Sequence, residues 1–253
     1  VSSRHVLALA LVLAACEGSP PPAARLAHDE PPTRELHVRW VGDASSSAPL
    51  VVLLHGYGAP GDDLVPLGHE LARATGARVA LPEAPLPGPD GTGRAWWDVD
   101  LGGARPSDRG AERPAGLAQA RRDVIAWLDA QRSEGRLDPH RTVVAGFSQG
   151  AMLAADVALE WEPRVGAVAM LSGNPVDEER WATRLRERAP PPFFLSHGRA
   201  DPLLDFRAAE RLRQRVEQAG GRVTFVPFDG PHTIPLEVRN ALASFVVSVM
   251  RAP

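Results

Sequence analysis

The sequence predicts an α/β domain whose central sheet is mainly parallel and carries helices on both faces. Three observations lead there. Continuous apolar runs recur, such as Leu50-Val51-Val52-Leu53-Leu54 and Thr142-Val143-Val144-Ala145, and a strand apolar at every position is covered on both sides. Longer amphipathic stretches alternate with these runs at the spacing of strand–helix–strand units. The 253 residues, 44% hydrophobic and 23% charged, can bury one large core and exclude wholesale disorder.

Taken in order, strands are expected at 36–41, 50–54, 77–81, 142–147, 165–171, 193–196 and 222–228. Helices are expected at 62–75, 115–133, 149–161, 178–188, 204–219 and 234–250. In helix 115–133 the residues Leu117, Val124, Ile125 and Leu128 gather near one face, with Arg121, Arg122 and Asp129 largely elsewhere. Residues 84–116 break the rhythm and are dense in Gly and Pro. This stretch starts where a strand ends, the side of an open α/β sheet where ligands sit, so it is a candidate wall or lid.

The N-terminus reads as a processing signal. Val6 to Ala15 form an apolar run of ten residues after Arg4 and His5. That is too short for a spanning helix but suits a secretory h-region. The only cysteine follows at once, and Leu13-Ala14-Ala15-Cys16 resembles the lipobox of bacterial lipoproteins, in which the cysteine is lipidated. The expected organisation is a signal peptide at 1–15, a Pro/Ala-rich tether at 16–35 and a folded domain at 36–253. The protein is then exported and lipid-anchored, with the outer membrane or periplasmic face favoured because Glu17, not Asp, follows the cysteine.

Composition excludes several chemistries. All 28 basic residues are arginine, so there is no P-loop lysine, no Schiff-base lysine and no Ser-Lys hydrolase. A single cysteine excludes an intrachain disulfide and any multi-cysteine metal site. A net charge of -3 gives no sign of a nucleic-acid footprint.

The strongest motif is Gly146-Phe147-Ser148-Gln149-Gly150, a G-x-S-x-G after an apolar strand and before a helix. A nucleophilic serine needs that sharp turn to expose its hydroxyl, and the following helix N-terminus directs N–H groups at a developing oxyanion. Beyond Ser148 only two histidines remain. His197 lies at a strand end before any suitable acid loop, so His232, in the loop before the last helix, is the base by elimination. The acid should follow a strand between the two. Asp201 fits and Asp177 is the runner-up, whereas Asp156 lies inside a helix and Asp229 is too near His232 in sequence. Asp205 belongs to the start of a helix, where an acid is favourable without catalysis.

Strand 50–54 runs into His55-Gly56-Tyr57-Gly58, similar to the H-G-x-G turn of esterases. The oxyanion donors are therefore assigned to the N–H groups of Tyr57 and Gln149, with His55 holding the turn. A competing pattern shares these residues. Gly56-x-Gly58-x-x-Gly61, with Glu83 ending the next strand, is a dinucleotide fingerprint on paper and would make the chain an NAD- or FAD-binding oxidoreductase. That reading leaves Ser148, Asp201 and His232 unexplained. A catalytically inactive binding protein on the same fold is a third possibility.

Together, LLHGYG (53–58), AWWD (95–98), GFSQG (146–150), SG (172–173), SHGRADPLL (196–204) and DGPHTI (229–234) resemble the phospholipase/carboxylesterase group of α/β-hydrolases, which includes the acyl-protein thioesterases. The resemblance implies the α/β-hydrolase fold, a Ser148, Asp201 and His232 triad, donors at Tyr57 and Gln149, and Trp97 in or near the acyl pocket. It implies a small-molecule or lipid ester as substrate, including thioesters and lysophospholipids, and neither metal nor cofactor. Ala151 stands where many members carry a second glycine.

Overall fold

The computed structural model describes residues 31–44, 47–99 and 113–251. Cys16 and the whole 1–15 leader lie outside the described residues, as does most of the proposed tether. The elements below belong to one unit, Thr33–Pro253.

Nine strands and six helices follow in chain order among the described residues. They are β1 (Val38–Val41), β2 (Leu50–Leu54), α1 (Val65–Thr75), β3 (Arg78–Pro82), β4 (Leu86–Pro87), β5 (Arg94–Ala95), α2 (Leu117–Ser133) and β6 (Thr142–Phe147). Then come α3 (Gln149–Glu160), β7 (Ala167–Leu171), α4 (Glu178–Glu187), β8 (Phe193–Gly198), α5 (Phe206–Gln218), β9 (Val223–Phe228) and α6 (Leu236–Met250). The seven-stranded sheet runs β1-β3-β2-β6-β7-β8-β9. Only β1 is antiparallel to its neighbour; the other pairs are parallel.

The apolar runs behave as two-faced strands. Leu50, Val52 and Leu54 pack into one core with α2, α3, α4 and α5, while Val51 and Leu53 pack into a second with α1 and α6. Successive side chains point to opposite faces, so each apolar run supplies both cores at once. The crossover helices thus lie on the two faces, and all the strand-to-helix turns after the parallel strands open at one end of the sheet, where ligands are received in this architecture.

Three local features differ from the sequence reading. The break at 84–116 is partly structured: β4 and β5 pair as a hairpin around a 3₁₀ turn at Pro89–Gly91, and the following Trp96 and Trp97 are buried. Arg34, within the expected tether, is clasped to the domain, its N–H and Nε each 2.8 Å from a carboxylate oxygen of Asp123. Arg121, off the apolar face of α2, is nonetheless buried, because α2 packs a second side against α3. Its guanidinium lies 2.8 Å from Asp156, which also accepts the Trp181 indole N–H at 2.8 Å. Asp205 caps α5, accepting the Arg207 N–H, as a helix-start acid should.

Burial pushes the Asp156 carboxyl above its ordinary range, and the Arg121 charge opposes that push. Removing the cation strands a buried carboxylate. Arg121→Leu should lower the urea-unfolding free energy by about 3–5 kcal/mol. The double variant with Asp156→Leu should recover a large part of that loss; equal losses in both would show that the pair carries no such coupling.

Candidate active site

The site is built from turns at the carboxyl ends of β2, β6, β8 and β9. Ser148 sits between β6 and α3 with φ 53° and ψ −118°. A non-glycine residue in that region carries about 1–3 kcal/mol of strain. The surroundings hold it there: Ser148 N–H donates to Leu171 O at 2.9 Å, and Ser148 O accepts from Ala151 at 3.0 Å and Met152 at 3.2 Å. The flanking glycines permit the closure. A Cβ on Gly146 would overlap the Gly150 backbone, and one on Gly150 would overlap the carbonyls of Leu54 and His55. The helix therefore starts hard against β2 as well as β6. Ala151, the departure from the family pattern, finds its room opposite Gly173.

The turn after β2 lies beside this elbow. His55 is buried and its two ring nitrogens have distinct partners. Ala84 N–H donates to Nε2 at 3.0 Å, so Nδ1 carries the proton and donates to Gly56 O at 2.8 Å. Burial holds its pKa below the ordinary value, with the Gly56 bond partly opposing. His55 thus fastens the turn, as its position implies. Within the turn, Gly58 N–H donates to Arg94 O and Ala59 N–H to Gly56 O. Among the described residues no acceptor meets the Tyr57 N–H or the Gln149 N–H at the start of α3.

The β8 and β9 turns bring His232 and Asp201 together. Arg199 N–H donates to Phe228 O at 2.9 Å and Ala200 N–H to Gly230 O at 3.1 Å. His232 Nδ1 lies 2.6 Å from Asp201 Oδ2. The Asp201 carboxylate, its side chain fully buried, also accepts the N–H groups of Leu203 and Leu204 at 2.8 and 3.0 Å. Burial alone would raise its pKa; the bonds from His197, His232, Leu204 and Leu203 outweigh that and hold it well below the usual carboxylate range. An ionised carboxylate only accepts, so in the neutral ring of His232 the proton sits on Nδ1 and Nε2 keeps its lone pair. The imidazole packs tilted against the Phe147 ring, centroids 4.8 Å apart, and Phe147 is the residue before Ser148 in the chain.

The other acid candidates are engaged elsewhere. Asp177 faces Arg113 at 3.6 Å, and Asp229, strongly exposed, faces Arg199 at 3.3 Å. Sequence reasoning missed His197. It is fully buried, and its Nε2 lies 3.3 Å from Asp201 Oδ2 and 3.2 Å from Leu204 O. The signal was its place four residues before Asp201 in one turn. It also missed that the Gln149 side chain, 3% exposed, bonds to the Trp96–Trp97 backbone. Trp97 itself is 2% exposed. The dinucleotide pattern fails on geometry: α1 begins at Val65, beyond the glycine turn, and the Glu83 carboxylate is held by Arg94 at 2.5 Å.

A profile of the phospholipase/carboxylesterase family matches residues 39–249. The chain belongs to the phospholipase/carboxylesterase family. Acyl-protein thioesterase 1 of Neurospora crassa is 24% identical over 208 residues, 78% of this chain and 84% of its own length. Acyl-protein thioesterase 1 of Aspergillus fumigatus is 28% identical over 135 residues, covering 51% of this chain and 56% of its own. Among solved structures, esterase PE8 superposes with a TM-score of 0.75 at 28% identity, covering 85% of this chain and all of its own. As a member of this family the chain is a carboxylic ester hydrolase with the α/β-hydrolase fold.

In this hydrolase the His55 ring should be seen by ¹⁵N NMR as the Nδ1–H tautomer. It should stay unprotonated as the pH falls below the ordinary 6.5. The unfolded chain takes up a proton there that the folded chain refuses, so this group lowers stability as pH falls through that value. A ring that titrates at 6.5 or above would contradict the fastening role.

Proposed function

We propose that this family member is a serine carboxylesterase working through Ser148, His232 and Asp201. The observation that carries the reading is the 2.6 Å bond from His232 Nδ1 to the ionised Asp201, with the ring packed against Phe147, the residue before Ser148. His232 Nε2 takes the Ser148 proton as Oγ attacks the ester carbonyl carbon. The carbonyl oxygen becomes an oxyanion facing the N–H groups of Tyr57 and Gln149, which have no other partner among the described residues. Each such donor is typically worth about 3 kcal/mol in the transition state. The C–O bond then breaks, His232 returns the proton to the leaving alcohol, and an acyl-Ser148 remains. Water, deprotonated by the same imidazole, attacks it and releases the acid. Atoms balance with water as the only co-reactant.

In this reading Asp201 keeps the imidazole in the right tautomer and stabilises its charged form. Trp97 backs the acyl site, its carbonyl tied to the residue after the nucleophile. Thioesters and lysophospholipids are variants of the same acyl transfer, and the thioesterase and esterase relatives support this class of substrate.

A fluorophosphonate probe should label Ser148, and Ser148→Ala should lose both labelling and p-nitrophenyl ester hydrolysis. Asp201→Asn should lower kcat by about 10⁴ while leaving the fold intact, since it presents the wrong tautomer. A folded wild type that neither labels nor hydrolyses any ester would leave only an inactive binding protein on this fold. A series of p-nitrophenyl esters of increasing length would define the acyl group.

We also propose that the enzyme is tethered to a bacterial membrane through lipidated Cys16, a reading supported by Leu13-Ala14-Ala15-Cys16 after an apolar run. Radiolabelled palmitate should enter the wild type and not Cys16→Ala. Absence of label in the wild type would overturn the tether.

A further inference from the structure

One side chain beside the nucleophile has a role that the acyl-transfer cycle leaves unassigned. The amide of Gln149 is buried and doubly engaged: Oε1 accepts the Trp96 N–H at 2.9 Å and Nε2 donates to the Trp97 carbonyl at 2.8 Å. A carboxamide bonded in this way cannot turn over or slide without losing both bonds. The segment it grips, residues 93–97, is in turn bonded to the turn after β2. Arg94 N–H donates to Ala59 O and Arg94 O accepts the Gly58 N–H, both at 2.8 Å. The Trp96 indole N–H donates to His55 O at 3.0 Å. Gly93, with φ +61°, lies so close that a Cβ there would overlap Gly58 O. The segment is therefore a strap, tied at one end to the turn bearing Tyr57 and at the other to α3.

We propose that the Gln149 side chain, acting through this strap, is the positioning group that sets the Tyr57 N–H against the Gln149 N–H. The inference rests on the esterase reading above. The two donors lie on separate turns, and the oxygen they share is sensitive to their separation; displacement of about 1 Å costs on the order of 100-fold in rate. One residue then serves both halves of the hole: its main chain provides one donor, and its side chain holds the strap to which the other donor's turn is bonded. The sheet keeps β2 and β6 adjacent, but the turn beyond β2 extends past the ladder, and the strap braces it there. Unsatisfied buried amide groups would be costly, so this arrangement has a stable position rather than a range of them.

The test uses the full chain and three variants. Gln149→Met keeps the length and the backbone N–H but removes both side-chain bonds. Its kcat on p-nitrophenyl butyrate, per site titrated with fluorophosphonate, should fall about 100-fold, with KM within about twofold. Affinity for a trifluoromethyl ketone, which adds to the serine and presents an oxyanion, should fall in parallel. Trp96→Phe, which removes the bond to His55 O together with part of a buried ring, and Gly93→Ala, at the far end of the strap, should shift the same two quantities in the same direction by about 10-fold. A side chain that merely stabilised the fold would lower Tm and leave kcat per titrated site unchanged. The proposal is overturned if Gln149→Met keeps kcat within threefold, or if ketone affinity does not follow kcat. Should Gln149→Met fail to fold, Trp96→Phe and Gly93→Ala decide by the same criterion. If the wild type hydrolyses no ester, the esterase reading fails and this inference with it; an active wild type with unimpaired variants sinks this inference alone.

Discussion

The backbone of Ser148 is the constraint from which the site follows. It is held at positive φ because β6, α3 and β2 meet with no space for a side chain at Gly146 or Gly150. The strain has a structural consequence: the chain must reverse direction within one residue, so the hydroxyl leaves the sheet end and the first N–H of the helix is left without an internal partner. Were the turn wider, the helix would start later and that donor would point elsewhere. Interactions spread over three strands thus impose a conformation that local preference disfavours.

Around that turn several buried polar groups are each held by more than one partner, which leaves them little freedom. His55 has both nitrogens engaged, Gln149 both ends of its amide, and Asp201 receives two N–H groups besides the imidazoles. In a low-dielectric site each such bond is strong, and each unmade bond is expensive. The carboxylate at Asp201 illustrates the balance: its burial disfavours charge, and four hydrogen-bonding groups reverse that sign. A carboxylate kept ionised at the end of β8 then dictates which nitrogen of His232 bears the proton, with no need for the acid to touch substrate.

Much of this was legible in the residues. The strand bounds at Leu50–Leu54 and Thr142–Phe147 agree with the sequence reading because uninterrupted apolar runs have one stable use in a sheet covered on both faces. The Gly-x-Ser-x-Gly signature carried its own context of strand and helix. Asp201 and Asp177 both follow a strand, Asp201 being the first choice and Asp177 the runner-up, and it is Asp201 that lies against His232. The burial of Arg121 was not legible, because the apolar pattern marks only one helix face and nothing local announces that Asp156 and Trp181 wait on neighbouring helices. The hairpin of β4 and β5 was invisible for another reason: Gly and Pro dominate it, and its two-residue strands carry no periodicity to detect.

What the sequence by itself determined was the order of elements, the two-faced sheet and the strand–turn–helix setting of the Gly-x-Ser-x-Gly signature, since each depends on spacing along the chain. The tertiary structure decided the pairings across it: His232 with Asp201, His197 behind the same carboxylate, and Gln149 with Trp96 and Trp97. A contact between residues dozens of positions apart depends on the register of strands and on which loops lean together, and hydrophobic periodicity records neither. Burial then does the rest, because a polar group cut off from water must take whichever partner the fold has brought within reach.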